Sequence, residues 1–396
     1  MSRISSRERM LAALRYEQTD YIPFYFNSFG FMPPAPYQWA NQVQEAEVCL
    51  SLGIDPLLKV STPAASHPSV TVRNWEENLP GERWPLMVKE YNTPAGVIRQ
   101  EVWKTDDWIS EDWPGHKDEN GQGISFTDDY NVVRSRKFAF ETEADLARLK
   151  YLLRPAEGDV LKELRQNANE VFKHADRLGV AVEGECSRGV DMLTWMCGVD
   201  GMVMMAMDKP DLFEALLDVI HAWDMRNTEI LLETPVDIVI RRGWYEGTAF
   251  WSPKIFKKFF LPRMRQLADM THSAGKLMGF KNSTGFMPLL DLFLQTGIDV
   301  HYFVDPIMGG TGVDLRKIKA TYDHKIAVIG GVSAAVTLER GTPAEIRQAV
   351  NDAIDQLGPN GLVLSPVDSL NASTPWSSVE CMIEAWKTRM GARVGK

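Results

Sequence analysis

The sequence predicts an α/β protein built as a (β/α)8 TIM barrel. Three observations carry this expectation. Eight short, mostly apolar runs recur along the chain, helical patterns separate them, and several runs lack strict alternation, as strands buried on both faces do. The 396 residues suit one such barrel with decorations. A doubly wound sheet is the alternative, weakened because no Gly-x-Gly-x-x-Gly follows the early strands.

The chain should open on a helix capped by Ser5, with Glu8 completing a capping box and Leu11 and Leu14 starting an apolar face. "IPFYFN" (22–27) is the first expected strand. A helical stretch over about 38–52 precedes the second, "DPLLKV" (55–60). The others are "GVAVEGE" (179–185), "VDIVIRR" (236–242), "KLMGFK" (276–281), "DVHYFV" (299–304), "KIAVIGG" (325–331) and "GLVLSP" (361–366). Between them, Ser252-Pro253 reads as a cap with a first-turn proline, and Pro262 should kink or divide the helix that follows. Thr342 to Glu345 is a second capping box, ahead of Ile346, Val350, Ile354 and Leu357 at helical spacing and Gly358 as the stop.

Residues 61–150 differ in kind and read as an insertion into a single barrel domain spanning 1–396. "MVKEYNTPAGVIRQEVWK" (87–104) places two extended arms around 92–96, a hairpin signal. The acidic, Gly-rich stretch 105–131 reads as loop. A cover over the barrel mouth and a peripheral dimer arm are both open.

A net charge of −10 and a pI near 5.3 argue against a nucleic-acid or anionic-membrane surface, since both want clustered Lys and Arg. No run approaches the ~18 apolar residues that a membrane span needs. "MSRISSRERM" lacks the apolar stretch of a signal peptide, and Cys49, Cys186, Cys197 and Cys381 are scattered without metal-like spacing. The expectation is a reduced, cytoplasmic protein acting on a small molecule.

Barrel chemistry gathers at the C-terminal ends of the strands, and here those ends are polar. They carry Asn27 and Ser28, Lys59 and Ser61, Glu183 and Glu185, and then Arg241, Arg242, Trp244, Tyr245 and Glu246. Lys281, Asn282 and Ser283 follow, then His301 and Asp305, then Asp368 and Ser369. Such groups must face one another, water or a ligand, because burying them unpaired is costly. Glu183 and Glu185 share a face, whereas Arg241 and Arg242 point to opposite sides, so at most one faces the site. His301, inside an apolar strand, also fits a satisfied core histidine. The chain has no His-x-x-x-His pair, Cys-x-x-Cys, P-loop or Gly-x-Ser-x-Gly elbow.

Several longer segments together are more specific. "SRERMLAALRYEQTDYIPF" (6–24), "FAFETEADLARLKYLLRP" (138–155), "SPKIFKKFFLPRMRQLADMTHSAGKLMGF" (252–280), "PLLDLFLQTGIDVHYFVDP" (288–306), "IGGVSAAVTLERGTPAEIRQAV" (329–350) and "LVLSPVDSLNASTP" (362–375) run nearly end to end. The chain they compose resembles the uroporphyrinogen decarboxylase superfamily, and within it the corrinoid-linked methyltransferase branch. The resemblance implies a (β/α)8 barrel and methyl transfer from a small methoxylated or methylated substrate to a corrinoid on a partner protein. A homodimer remains open.

Two departures bear on chemistry. In the branch that methylates thiols, zinc is held by a His-x-Cys pair after the fifth strand and a Cys after the eighth. The matching positions are Lys281, Ser283 and Asp368, which are not a zinc set, so no metal is expected there. The decarboxylase branch has an arginine-rich N-terminal motif and an aspartate after the second strand. The first is absent around 20–40, and Lys59-Val60-Ser61 replaces the second.

The resemblance then implies that the enzyme seats the substrate and stabilises the leaving group. The expected catalytic set is Lys281 as donor or fixed cation, Asp368 opposite it, Ser283 on the departing atom and Glu246 as a spare general acid. Asn27, Glu183, Arg241, Trp244, Tyr245, Asn282, His301 and Asp305 are the expected substrate-binding set. Other readings are a decarboxylase-like carboxy-lyase, a non-catalytic corrinoid- or tetrapyrrole-binding accessory protein, and a metal held by Glu183, His301 and Asp305.

Overall fold

The computed structural model describes residues 4–27, 37–63, 65–108, 124–126, 128–367, 369–370 and 374–391. They fall into two compact units. One is Met1–Thr62, Glu163–Cys186 and Thr228–Lys396; the other is Pro63–Lys162 and Ser187–Asn227. The strands, in chain order, are β1 (Leu57–Ser61), β2 (Thr71–Glu77), β3 (Leu86–Thr93), β4 (Gly96–Trp103), β5 (Ser135–Lys137), β6 (Ala181–Ser187), β7 (Ile238–Arg242), β8 (Leu277–Lys281), β9 (Val300–Val304), β10 (Ala327–Ser333) and β11 (Leu362–Val367).

Seven of the eight expected runs form one sheet ordered β1-β6-β7-β8-β9-β10-β11. The pairings are parallel, with helices in the connections. This curled parallel sheet is compatible with a TIM-barrel-like fold.

The run 22–27 departs from its expected strand. It makes one parallel bridge, Phe24 to Leu364. Tyr25 N donates to Leu364 O and Leu364 N to Pro23 O, both at 2.9 Å, while Asp55 N donates to Phe24 O at 2.7 Å. Pro23 has no N–H to extend the ladder, so the segment touches β11 on one side and the lead into β1 on the other without becoming a strand.

Alternation sorts the residues of this sheet. Leu57, Ala181, Ile238, Ile240, Val300 and Tyr302 belong to one buried cluster, joined by Met10, Ala13 and Leu14 of the first helix, Ser6–Leu14. That helix therefore sits at the N-terminal ends of the strands and leaves their C-terminal ends for other work. It carries the expected capping box between Ser5 and Glu8. Ser252 caps its helix by accepting from Ile255 N at 3.3 Å. Pro262 stands at the start of Leu261–Ser273, directly after a π-turn over Phe256–Phe260, so the proline divides the helix. The Thr342–Glu345 box is also present.

In the second unit β2-β3-β4-β5 form an antiparallel sheet. The expected hairpin is β3 and β4, closing at Thr93 opposite Gly96. Most of 105–131 lies outside the described residues. One expectation needs correction. The helix Gly189–Asp208 is long and apolar enough to cross a membrane by length and composition alone, with mean hydropathy 1.3 over its best window. It reaches that value through Met, Val and Leu despite Asp191 and Asp200, and 61% of the window is buried inside the protein. Gly198, at φ 70°, breaks it in the middle.

Candidate active site

Strand register builds the site. In paired strands, residues in register share a face. Lys59 lies opposite Glu183 and Ser61 opposite Glu185. Across the sheet, Arg242 lies opposite Lys281, and Lys281 opposite Tyr302. Tyr302 belongs to the inner cluster, so this row of polar side chains faces the interior at the C-terminal ends of the strands.

Lys281 is central and almost wholly buried. Its Nζ lies 3.5 Å from Glu183 Oε1 and 3.3 Å from Glu185 Oε2. The ammonium also stands 6.0 Å from the centre of the Tyr302 ring. Burial works against its charge, but Glu183 and Glu185 outweigh burial and the opposing Arg242, holding its pKa above the ordinary lysine value. Arg242 Nη1 lies 3.8 Å from Glu185 Oε1. Lys59 reaches the same carboxylate oxygen as Lys281, with Nζ 4.0 Å from Glu183 Oε1. It also donates to Asn27 O at 2.5 Å and Asn27 Oδ1 at 3.2 Å. Tyr25 and Tyr302 are buried beside Glu183; desolvation first, and that carboxylate second, push both phenols far above their usual pKa.

Among the described residues, Lys59, Lys281 and Arg242 thus gather around the carboxylates of Glu183 and Glu185. A pair about 4 Å apart gains roughly 4 kcal/mol at an effective dielectric near 20, while desolvation costs several kcal/mol per ion. The two nearly cancel. The cluster is therefore poor as a stabilising device and good as a functional one.

The expected site residues divide. Lys281, Glu183 and Asn27 come together, and Asn27 also reaches Ser369 Oγ through Nδ2 at 3.2 Å. Trp244 stacks on Phe303, with centroids 5.8 Å apart and planes within 5°. Tyr245 packs on Phe250, its carbonyl accepting from Trp251 Nε1. Ser283 is half-buried in the turn after β8. Asp368, expected opposite Lys281, lies outside the described residues, as does Ser28.

The structure places five of the expected residues otherwise. Arg241 is not in the row. Its register partner is Phe280, which packs on Phe293 of the helix Leu290–Thr296, so both face the helices. There Arg241 Nη2 bonds Glu246 Oε1 at 2.5 Å, with both side chains buried. Glu246 is thus held in a buried ion pair with Arg241. His301 also faces the helices, edge-on to Phe286 and Phe293. Its Nε2 donates to Asn282 O at 2.7 Å and its Nδ1 accepts from Tyr322 Oη at 2.9 Å. Burial lowers its pKa to about 4, so it is a neutral core histidine. Asp305 Oδ1 accepts from Ile307 N and Met308 N, both at 2.7 Å, and so caps the turn after β9. Asn282 is a brace rather than a contact: fully buried, it donates from Nδ2 to Gly243 O at 2.7 Å.

That brace joins two loops. A Cβ on Gly247 would stand 2.0 Å from Thr284 O, and one on Gly285, at φ 63°, 2.6 Å from Thr248 N. The turn after β8 and the loop after β7 therefore touch backbone to backbone.

The family's zinc position does not fit the residues here. A protonated Lys281 has no lone pair to offer, and a lysine and a serine are not a zinc set. Among the described residues no group of three or more His, Cys, Asp or Glu is placed to hold an ion, and the imagined set of Glu183, His301 and Asp305 is split because His301 faces away.

Lys59, Glu185 and Arg242 stand in the row although the expected site set holds their neighbours instead, and Tyr25 and Tyr302 join it with no local signal in the sequence. Parity within each strand was the available signal, and it works only once one inward residue is known.

Residues 117–389 match the family described as Uroporphyrinogen decarboxylase (URO-D). No curated protein matches the chain. Among solved structures, a methyltransferase from Methanosarcina mazei superposes with a TM-score of 0.58 at 16% identity, covering 98% of this chain and 100% of that one, a likeness of fold. A B12-independent methionine synthase from Shewanella sp. W3-18-1 gives 0.43 at 9% identity, over 60% of this chain and 67% of that one. A D-psicose 3-epimerase from Clostridium cellulolyticum H10 gives 0.34 at 13%, over 56% and 80%. Neither of the last two scores is high enough to argue from. The family match spans more than half the sequence and takes in β6 to β11, which carry Glu183, Glu185, Arg242 and Lys281, and on that ground the chain belongs to the uroporphyrinogen decarboxylase family.

Proposed function

We propose that this protein is a methyltransferase that takes a methyl group from a small methoxylated or methylated substrate and delivers it to a corrinoid held by a partner protein. The reading takes the sheet as a full (β/α)8 barrel with 22–27 in the eighth position. The observation that carries it is Lys281, a buried ammonium kept charged by Glu183 and Glu185 at the strand ends.

Breaking a methyl–oxygen or methyl–nitrogen bond needs a nucleophile and a stabilised leaving atom. The corrinoid supplies the nucleophile when its carrier is bound. The residues of this chain supply the rest. Lys281 is a fixed positive charge aimed at the leaving atom, where electrostatic stabilisation is worth most. Ser283 hydrogen-bonds that atom. Trp244, stacked on Phe303, gives a flat apolar wall for a ring. Asn282 holds the turn that presents Lys281.

The test is to mix the protein with reduced cobalamin and a methoxylated aromatic or a methylamine and follow the visible spectrum. Substrate-dependent alkylation of the cobalt is expected. A band shift that ignores the substrate means binding alone and overturns the reading. A carboxy-lyase is the second reading, favoured by Lys59, Lys281 and Arg242 gathered at the strand ends, cations that suit an acidic substrate. Release of carbon dioxide from a polycarboxylate without any cobalt alkylation would select it.

A further inference from the structure

We propose that Lys59, rather than Lys281, hands a proton to the leaving atom, and that Lys281 is the fixed cation beside it. This rests on the methyl-transfer reading above and adds a second residue to its chemistry.

The two lysines share one carboxylate oxygen, Glu183 Oε1, yet their surroundings differ. Lys281 is enclosed, with 6% of its side chain exposed, and two carboxylates lie within 3.5 Å. Its proton is hard to remove. Lys59 keeps 38% of its side chain exposed. Its close partners are two neutral oxygens of Asn27. Those oxygens orient the ammonium without fixing a full countercharge on it. Its backbone is clamped as well: Gln42 Oε1 accepts from Lys59 N at 2.7 Å and Gln42 Nε2 donates to Lys59 O at 3.1 Å. The side chain is thus positioned at both ends, its ammonium desolvated while part of its length stays exposed.

The charged neighbours of Lys59 among the described residues are Glu183 and Glu185 from β6, Lys281 from β8 and Glu45 from the helix Gln42–Ser51. Desolvation lowers its pKa most; Glu183 opposes, Lys281 lowers it further, and Glu45 and Glu185 oppose more weakly. The net shift is downward, opposite to that of Lys281. A proton donor works best with a pKa nearer the working pH, so the two lysines suit different tasks.

The balance is simple for a methoxylated substrate. The methyl–oxygen bond breaks and its electron pair stays on oxygen. The methyl passes, without that pair, to the reduced corrinoid of the partner. The oxygen takes a proton from Lys59 Nζ and leaves as a hydroxyl. The neutral Lys59 amine recovers a proton from water through its exposed edge.

Two measurements test this. The first needs no turnover: trace acetylation with acetic anhydride across a pH series, read at each lysine by mass spectrometry. Lys59 should label with a midpoint below that of the exposed Lys254 and Lys257, while Lys281 resists labelling. A Lys59 midpoint at or above those of the surface lysines overturns the proposal. The second is the pH dependence of methyl transfer to cobalamin in Lys59→Met and Lys59→Arg. Lys59→Met should lose about 10²-fold and the alkaline limb of the wild-type profile. Lys59→Arg keeps the charge and its contacts to Asn27 but cannot release a proton near neutral pH, so it should stay as slow as Lys59→Met. Recovery in Lys59→Arg would assign Lys59 a purely positional role and overturn the proposal, and this arm stands even if Lys59→Met fails to fold. Wild-type protein that methylates no cobalamin sinks the methyl-transfer reading itself, a result distinct from an active Lys59→Arg.

Discussion

Lys281 and Glu183 form the ion pair at the heart of the strand-end row, Nζ to Oε1 3.5 Å, with both side chains nearly sealed from water. Removing one member leaves the other charge buried without its partner, which typically costs about 3–5 kcal/mol. Lys281→Met should therefore lose stability on that scale and also drop methyl transfer about 10²-fold or more. Adding Glu183→Gln should restore part of the stability and none of the turnover. Urea unfolding beside the cobalamin assay separates the two effects.

The same lysine gives an alkaline signature. Its pKa is raised on folding, so its contribution to stability is complete below the ordinary lysine value and is lost as pH climbs through the folded value. Wild-type stability should decline more steeply in strongly alkaline buffer than that of Lys281→Met. Equal slopes would show that the charge is not held as described.

Arg241 and Glu246 form a second buried pair, outside the row. Glu246→Gln should lower stability while leaving the pH profile of methyl transfer unaltered in shape. Replacing both partners by Met and Leu should be close to neutral, because exchanging a buried ion pair for packed apolar groups costs little. A profile that loses its acid limb in Glu246→Gln would return this glutamate to the chemistry.

His301 makes stability depend on acid. Folded, it titrates at about 4; unfolded, near the usual 6.5. Above about 6.5 it has no effect. Between there and about 4 the unfolded chain binds the extra proton, and stability falls by roughly 3 kcal/mol in total. His301→Gln should flatten that part of the pH–stability curve by about one proton.

Gly247 is the tightest contact behind the site. A methyl group there would stand 2.0 Å from Thr284 O, a backbone atom. Gly247→Ala should displace the turn after β8, cost about 1–3 kcal/mol as overpacking does, and slow methyl transfer by moving Lys281. Thermal melting and the cobalamin assay read both effects.

The strands and caps were legible because period and capping residues are local signals. Seven apolar runs became paired strands, and only the run holding Pro23 did not, for want of an N–H. The site was half legible. That strand ends are polar is visible in the sequence; which polar residue faces inward is not. Arg241 and Arg242 are indistinguishable until Arg242 is known to lie opposite Lys281. His301 sits in a strand apolar on both faces, so nothing local reveals its orientation. Lys59 is visible in the sequence as one polar strand end among many, and its value comes from Glu183, 124 residues later in the chain, lying in register with it.

The join between Pro23–Tyr25 and Leu364 holds this segment with two hydrogen bonds to β11 on one side and a single backbone bond from Asp55 on the other, where β10 and β11 are zipped from Val328 to Ser333. Such a latch is the cheapest place for the sheet to breathe, and its amides should exchange with deuterium before those of the other strands. The segment it releases ends at Asn27, the tether of the Lys59 ammonium. Unlatching should therefore loosen that tether, so exchange at the seam and the seating of the ammonium are expected to change together.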